Sequence, residues 1–535
     1  MALFVLDRNI VKGELLRRLG EVFPMDTREE GKEHVTYLDT FDWRLQRAGL
    51  ALTASRIGKQ ARLRALTDDG RILDSIVPRI PLFASELSPS PLSDLVQPVT
   101  RNRRLLPKAR GEWTGVLIGV LNEDGKTVVR LRLREGVALP THGREKVPLP
   151  PRLQCISLKG YRSEAKVVRS FIKDRLKSKA GGSTEQEAVF EATGQTPGDY
   201  TSSFKLELQP ELPAAAAARK IHLSLLATIL ANREGLTRDW DAEFLHDFRV
   251  AVRRTRSALT QLRGVFPEVE TEHFIEEFRW LGAKTGPTRD IDVYLLKIPA
   301  YRAALSPSAR KDLEPLVRLL REKKKVELQR LRRSLRSKRF VRLMKEWTEF
   351  LEPSEDQDFD SAPQQARRPV RDVASERILK AFNKVRKRGR KMGRFTPAED
   401  LHRLRIDCKK LRYLLTFFQS LFPPKSIGPL IQELKKLQDH LGDFNDLQVQ
   451  RENLGSFAEE MMAAKAGPPA TLLAMGQLMG QLEGKQEKER EAFHDHFARF
   501  ARAGNVRKFE KLFGPEPVSG KNRRKEKEGG KEKKK

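Results

Sequence analysis

The chain has 535 residues, 39% of them hydrophobic, and sets 103 Lys and Arg against 72 Asp and Glu for a formal net charge of +31. That length predicts more than one domain with substantial cores, and the charge predicts a polyanionic partner: nucleic acid, an anionic membrane surface, or an inorganic or nucleotide polyphosphate. Only two cysteines, Cys155 and Cys408, are present, which excludes a disulfide framework and a zinc site built on thiolates.

Both cysteines are expected in cores as small apolar residues, a usage that suits a reducing compartment. The opening MALFVLDRNIVKGELL meets charge before any apolar run of signal-peptide length. No segment approaches about 18 uninterrupted apolar residues, so a soluble cytoplasmic protein without a membrane partner is expected.

Residues 1–210 read as mostly β. Val35–Asp39, Leu50–Ser55, Arg62–Leu66 and Arg71–Val77 are short runs separated by turns such as Asp68-Asp69-Gly70. Gly115–Asn122 and Lys126–Arg134 flank Glu123-Asp124-Gly125, a hairpin signal. In the second of these strands Arg130, Arg132 and Arg134 alternate with Val129, Leu131 and Leu133, which predicts one cationic and one apolar face. Arg62 and Arg64 sit two apart in an earlier strand. Lys159 in CISLKGY, and Lys205 with Glu207 in SSFKLELQ, extend the pattern. Ser163–Lys177 reads as an amphipathic helix, Pro78–Pro107 as an irregular insertion, and 178–203 as a flexible loop before an SSFKLELQ strand. These cations either decorate a solvated sheet face or line a tunnel that receives an anion.

Tyr37–Ser55, YLDTFDWRLQRAGLALTAS, resembles the segment after the first strand of CYTH domains, the triphosphate-tunnel family, in the spacing of Tyr37-Leu38-Asp39-Thr40, Leu45, Ala48-Gly49 and Leu52. The resemblance implies an α+β antiparallel barrel or tunnel with Arg62, Arg64, Arg130, Arg132, Arg134, Lys159 and Lys205 as candidate anion-binding cations. Active members of that family open with a strand bearing two glutamates and a lysine. This chain opens Leu3-Phe4-Val5-Leu6-Asp7-Arg8, so a divalent metal would lack most of its oxygen ligands and the domain reads as catalytically degenerate.

Pro210–Pro213 marks a boundary, and helix signals dominate 214–515: Asp312–Leu335, Phe340–Leu351, Val370–Arg388, Ser426–Leu441 and Leu472–Arg502. Pro353–Pro369 reads as a loop between two repeats, 214–352 and 370–515, and the apolar-free tail within 516–535 as disordered. The repeat shows in Glu243–Leu262, EFLHDFRVAVRRTRSALTQL, which returns as Glu399–Phe418, EDLHRLRIDCKKLRYLLTFF. His246 falls on His402 at an offset of 402 − 246 = 156, and the same offset carries Arg249 to Arg405, Arg253 to Lys409, Arg254 to Lys410 and Arg256 to Arg412. It holds through Phe266-Pro267, Leu281, Gly286, Asp290 and Val293, so the chain is internally duplicated.

At about 100° per residue, His246, Arg249, Arg253 and Arg256 share roughly 80° of arc, opposite a core stripe of Phe248, Val252, Thr255 and Leu259. His402, Arg405, Lys409, Arg412 and Tyr413 form the matching stripe in the second copy, with Leu404, Cys408, Leu411, Leu415 and Phe418 on its buried side. Arg254 and Lys410 fall on the flank. A single stripe of this kind is ordinarily a solvated face. Like charges three and four apart repel, however, and their appearance in both copies favours an anion between them.

The His-x-x-Arg-x-x-x-[Arg/Lys]-[Arg/Lys]-x-Arg pattern, present twice, resembles the CHAD family of histidine α-helical domains, as do LGAKTGPTRDIDV (Leu281–Val293) and LQDHLGDFNDLQV (Leu437–Val449). The resemblance implies an all-α pseudo-twofold bundle that binds inorganic polyphosphate without a cofactor, often at polyphosphate granules. It places the site on His246, Arg249, Arg253, Arg254, Arg256, His402, Arg405, Lys409, Lys410, Arg412 and Tyr413. Arginine brings a planar donor fork and lysine a point charge to phosphate, while the two histidines would add pH dependence. Asp290 and Asp446 are expected as helix N-caps or partners that orient an arginine.

Phosphohydrolysis by the N-terminal domain is disfavoured by the missing glutamates. Single-stranded nucleic acid would require stacking aromatics, of which the stripes carry only Tyr413. Metal binding by His246 and His402 with Glu243 and Glu399 is disfavoured by the surrounding arginines. Polyphosphate binding without catalysis is therefore the expected function.

Overall fold

The computed structural model describes residues 2–140, 145–176, 178–181, 184–352, 363–393 and 395–515. The expected disordered tail and most of the expected loop between the repeats lie outside the described residues. The chain divides into two compact units, Met1–Ser202 and Ser203–Lys535. This division falls after Ser202 rather than at 210.

The first unit is an antiparallel sheet of β1 (Ala2–Val5), β2 (Met25–Asp39), β3 (Leu50–Ile57), β4 (Gln60–Thr67), β5 (Ile72–Val77), β6 (Leu106–Leu121), β7 (Thr127–Leu139), β8 (Val147–Pro148), β9 (Arg152–Ser157) and β10 (Lys179–Ala180). The strands pair in the order β10-β1-β9-β7-β6-β2-β3-β4-β5, with β8 on β7, and no ladder among the described residues joins β5 to β10. Its helices are α1 (Lys12–Gly20), α2 (Arg44–Arg47), α3 (Pro91–Thr100), α4 (Arg162–Arg175) and α5 (Glu185–Thr193). The β6–β7 hairpin turns at Gly125, whose φ of 72° is the left-handed conformation that glycine adopts without strain. Val129, Leu131 and Leu133 of β7 pack with Leu153 and Cys155 of β9 and with Ala165, Val168 and Ile172 of α4. The alternation read from the sequence is thus the apolar face of the central strand.

Four readings change. Strand β2 begins at Met25, because Met25–His34, charged though it is, pairs with β6 from Met25 opposite Val120, with one register shift between Glu30 and Glu33. The expected irregular insertion contains α3, which is capped by Ser90, starts at Pro91 and buries Leu92 and Val96. The expected flexible loop contains α5, set by a reciprocal cap between Thr184 and Glu187, with Val189 and Phe190 buried against Trp43 and Trp113. The SSFKLELQ segment is not a strand: Phe204 packs its ring 5.3 Å from that of Phe417 in the helical unit, and Leu208 N–H donates to the Ser420 hydroxyl at 3.1 Å.

The second unit is helical: α6 (Ala214–Arg238), α7 (Ala242–Gln261), α8 (Glu268–Ala304), α9 (Glu314–Arg336), α10 (Lys338–Leu351), α11 (Val370–Gly389), α12 (Ala398–Phe417), α13 (Pro424–Ala463), α14 (Pro469–Phe500) and α15 (Ala503–Phe513). Helices α7 and α12 share both bounds at the 156-residue offset (242 + 156 = 398; 261 + 156 = 417), and α8 and α13 share their starts (268 + 156 = 424). Pro213 and Pro369 precede α6 and α11 and form an antiparallel bridge. In it Ala214 N–H donates to Arg368 and Val370 N–H to Leu212, at 2.9 and 2.8 Å. The offset exchanges these two bonds, as a local twofold requires.

Helix α6 is, among the described residues, the one helix long and apolar enough to cross a membrane by length and composition. It packs against α7, α10 and α11, and buries Ile221, Leu225 and Ile229 together with His222 and Asn232. That packing is the role of a core helix.

Candidate anion-binding site

The cation stripes lie on α7 and α12, which pack against each other and against α8 and α13 respectively. Asp241 caps α7 by accepting from the Glu243 and Phe244 N–H groups, which fixes the start of that helix and hence the direction of its faces. Phe248, Val252, Thr255 and Leu259 are buried on α7, as are Leu404, Cys408, Leu411, Leu415 and Phe418 on α12, the stripes expected from periodicity. Burial of those faces turns Arg249, Arg253, Arg405 and Lys409 toward one another.

Arg249 Nη1 donates to the Gly282 carbonyl at 3.2 Å and to the Thr285 hydroxyl at 2.9 Å, both on α8. Arg405 Nη2 bonds Asp446 Oδ1 on α13 at 3.0 Å. A Cβ at Gly286 would lie 3.5 Å from Arg249 Nη1, and one at Gly442 would lie 3.9 Å from Arg405 Nε and Nη2. Each guanidinium thus lies close over the paired glycine of the neighbouring helix.

Electrostatics record the crowding. Burial, and then Arg253, lower the Arg249 pKa to about 10. Burial, then Arg405 and Arg253, lower Lys409 to about 8. Arg405 is lowered by burial and, among its neighbours, by Arg253, so a cation of the first copy stands among those of the second. Arg256 is lowered by burial and then by Arg279. Among the described residues no carboxylate lies within ion-pair distance (4.0 Å) of Arg253, Lys409 or Arg412.

Arg254 is also lowered, by burial first, and sits 6.0 Å over the Phe204 ring with Arg412 and Tyr413 as neighbours, which puts it between α7 and α12. Its counterpart Lys410 is half-buried. Tyr413 is buried and stacks on Phe417 with ring centroids 6.3 Å apart, so its ring is not presented to a ligand. His246 is half-buried, whereas His402 is exposed and bonds Asn445 of α13. Asp290 and Asp446 lie inside α8 and α13, which run through Gly286, Pro287 and Gly442, so neither is an N-cap; Asp446 is instead an arginine partner. Thr285, Arg289 and Asn445 join the site without having been anticipated. Their signal was present, since all three fall within the two later motifs.

In the N-terminal unit the expected tunnel cations meet carboxylates of the same unit. Arg64 pairs with Asp74 at 2.8 Å, Arg132 with Glu30 at 2.8 Å, and buried Arg134 with Glu33 at 3.0 Å and Glu185 at 3.3 Å. Arg62 is half-buried and Arg130 exposed. Lys159 lies in an exposed turn after β9, and Lys205 lies in the helical unit, so neither extends the β7 row. The Tyr37–Ser55 motif is largely architectural: Asp39 accepts from the Thr40, Leu45 and Gln46 N–H groups, and a Cβ at Gly49, whose φ is 70°, would fall 2.1 Å from Asp68 Oδ2. No cluster of three or more metal-ligating side chains occurs among the described residues.

An all-helical unit that directs duplicated cationic helix faces toward one another defines the class of this region. Residues 220–455, which lie within the helical unit, match the family described as CHAD domain. An uncharacterized protein of Mycobacterium tuberculosis, in strains H37Rv and CDC 1551, is 30% identical over 257 residues, 48% of this chain and 48% of that protein. The chain thus spans about half the length of the curated relatives it matches. The crystal structure of the CHAD domain from the plant Ricinus communis is 25% identical, with a TM-score of 0.47, and covers 55% of this chain and 96% of that one. PptA from Streptomyces chartreusis is 16% identical, with a TM-score of 0.39, and covers 53% of this chain and 99% of that one.

Proposed function

We propose that this protein binds inorganic polyphosphate on the facing stripes of α7 and α12, without catalysis. The observation that carries the reading is the packing of α7 on α12, which brings Arg253 of the first copy beside Arg405 and Lys409 of the second, with no carboxylate within 4.0 Å of Arg253, Lys409 or Arg412 among the described residues. Such a group is held together against its own repulsion, and a linear polyanion relieves that repulsion along its whole length. Arg249, Arg253, Arg256, Arg405, Lys409 and Arg412 are the principal phosphate contacts. His246 and His402 sit at one end of the stripes, and Arg254 and Lys410 support the site from its flank.

The N-terminal unit is read as a degenerate CYTH-like domain, and the internal pairing of its Arg64, Arg132 and Arg134 supports assigning the anion to the helical unit. A cytoplasmic location at polyphosphate granules follows from the same proposal.

The test is direct binding of long-chain polyphosphate to the full chain. Binding is expected to weaken steeply between about 50 and 200 mM salt, because it releases counterions. Arg253→Glu combined with Lys409→Glu is expected to lower affinity by roughly 100-fold or more. Unchanged affinity in that variant would move the site elsewhere. RNA outcompeting polyphosphate at matched phosphate concentration would favour a nucleic-acid role.

A further inference from the structure

The two copies share a register but not a charge balance. In the first, Arg249 is satisfied by neutral acceptors, the Gly282 carbonyl and the Thr285 hydroxyl. At the equivalent of Thr285 the second copy has Leu441 (285 + 156 = 441), which offers no hydroxyl. Arg405 turns instead to Asp446, with Nη2 on Oδ1 at 3.0 Å. Asp290, the counterpart of Asp446, is near enough to Arg249 to affect its titration but lies beyond ion-pair distance.

The surroundings enlarge the difference. Where α8 has Arg289, which donates to the Ala242 carbonyl at 3.2 Å, α13 has Asn445 (289 + 156 = 445). Where α8 has Ala283 and Pro287, α13 has Asp439 and Asp443. Asp443 and Asp446 both act on Arg405. The first copy thus sets Arg249, Arg253, Arg256, Arg279 and Arg289 against Asp290 and Glu276, and the second sets Arg405, Lys409 and Arg412 against Asp443 and Asp446.

We propose that Asp446 is a built-in competing anion: its carboxylate occupies the Arg405 fork that a phosphate would otherwise take. The first copy then leads in binding, and a polyphosphate chain engages the second by displacing Asp446 from Arg405. This rests on the polyphosphate reading above and assigns unequal roles to residues that the duplication makes look equivalent. A carboxylate that only positioned Arg405 for phosphate would have the opposite signature, since its removal would weaken binding.

The experiment measures long-chain polyphosphate affinity for the full chain at fixed salt, with thermal melting to confirm that each variant is folded. Asp446→Asn is expected to bind about 3- to 10-fold tighter, since it frees Nη2 of Arg405 from an ion pair and removes a charge that repels phosphate. Asp446→Glu should restore wild-type affinity, and Asp290→Asn should tighten binding less than Asp446→Asn. Arg249→Gln should cost more than Arg405→Gln in the wild-type background, and the two costs should converge when Asp446→Asn is added. Weaker or unchanged binding by Asp446→Asn, or equal costs at Arg249 and Arg405 in the wild type, overturns the inference while leaving the polyphosphate reading intact. A wild-type chain that fails to bind polyphosphate overturns both.

Discussion

Lys409 shows what a single residue reveals about the site. Its ammonium is half-buried with Arg405 and Arg253 beside it, and its pKa falls from 10.5 to about 8. An unfolded chain holds that proton more tightly, so between pH 8 and 10.5 folding releases protons and the destabilising charge is progressively relieved. Binding runs the other way, because phosphate favours the charged form and raises the pKa again. The contribution of Lys409 to polyphosphate affinity should therefore be level below about pH 8 and fall as pH rises beyond it. An arginine gives up its proton at higher pH than a lysine in the same surroundings, so Lys409→Arg should flatten the decline. An unaltered profile in Lys409→Arg, measured by titration calorimetry from pH 7 to 9.5, would assign the pH dependence to another group.

Helices α7 and α12 were legible in the sequence almost to the residue, because each buries a continuous apolar stripe at a period near 3.6 and opposes it with cations. The candidate site was legible only as a pattern: the same period puts Arg249, Arg253, Arg405 and Lys409 on the cationic faces of those two helices. Other elements were hidden because tertiary contacts, not local pattern, define them. The Met25–His34 half of β2 carries charge on both faces, and only its ladder to β6 makes it a strand. Asp290 is expected as a helix N-cap or an arginine partner, yet α8 runs through Gly286, Pro287 and Asp290 to Ala304. The pairing of Arg132 with Glu30 and of Arg134 with Glu33 spans about a hundred positions and leaves no trace in local pattern. Close approach of elements is likewise invisible in periodicity. A Cβ at Gly235 of α6 would fall 2.3 Å from the ring of buried Phe244 on α7, so Gly235→Ala must push the two helices apart. It should cost about 1–3 kcal/mol of stability, read as a lower thermal midpoint. A midpoint equal to wild type would mean that Phe244 repacks freely.

At the scale of the whole molecule, the net charge of +31 is spread over two units that handle it differently. The sheet unit pairs Arg64, Arg132 and Arg134 with internal carboxylates, whereas in the helical unit no carboxylate lies within 4.0 Å of Arg253, Lys409 or Arg412 among the described residues. The Pro213–Pro369 bridge adds a point about origins. Leu212–Ala214 presents one donor and one acceptor, and what it pairs with is its own image displaced by 156 residues. An edge that is complementary to itself has no need of covalent linkage to its mate. The segment 203–352 expressed alone should therefore assemble as a symmetric homodimer, detectable by light scattering, in which a second copy of α7 takes the place of α12. A strictly monomeric fragment would argue against that pairing. A dimer would mark the duplicated chain as two ancestral subunits fused end to end, freed by the fusion to let one half carry Leu441 where the other carries Thr285.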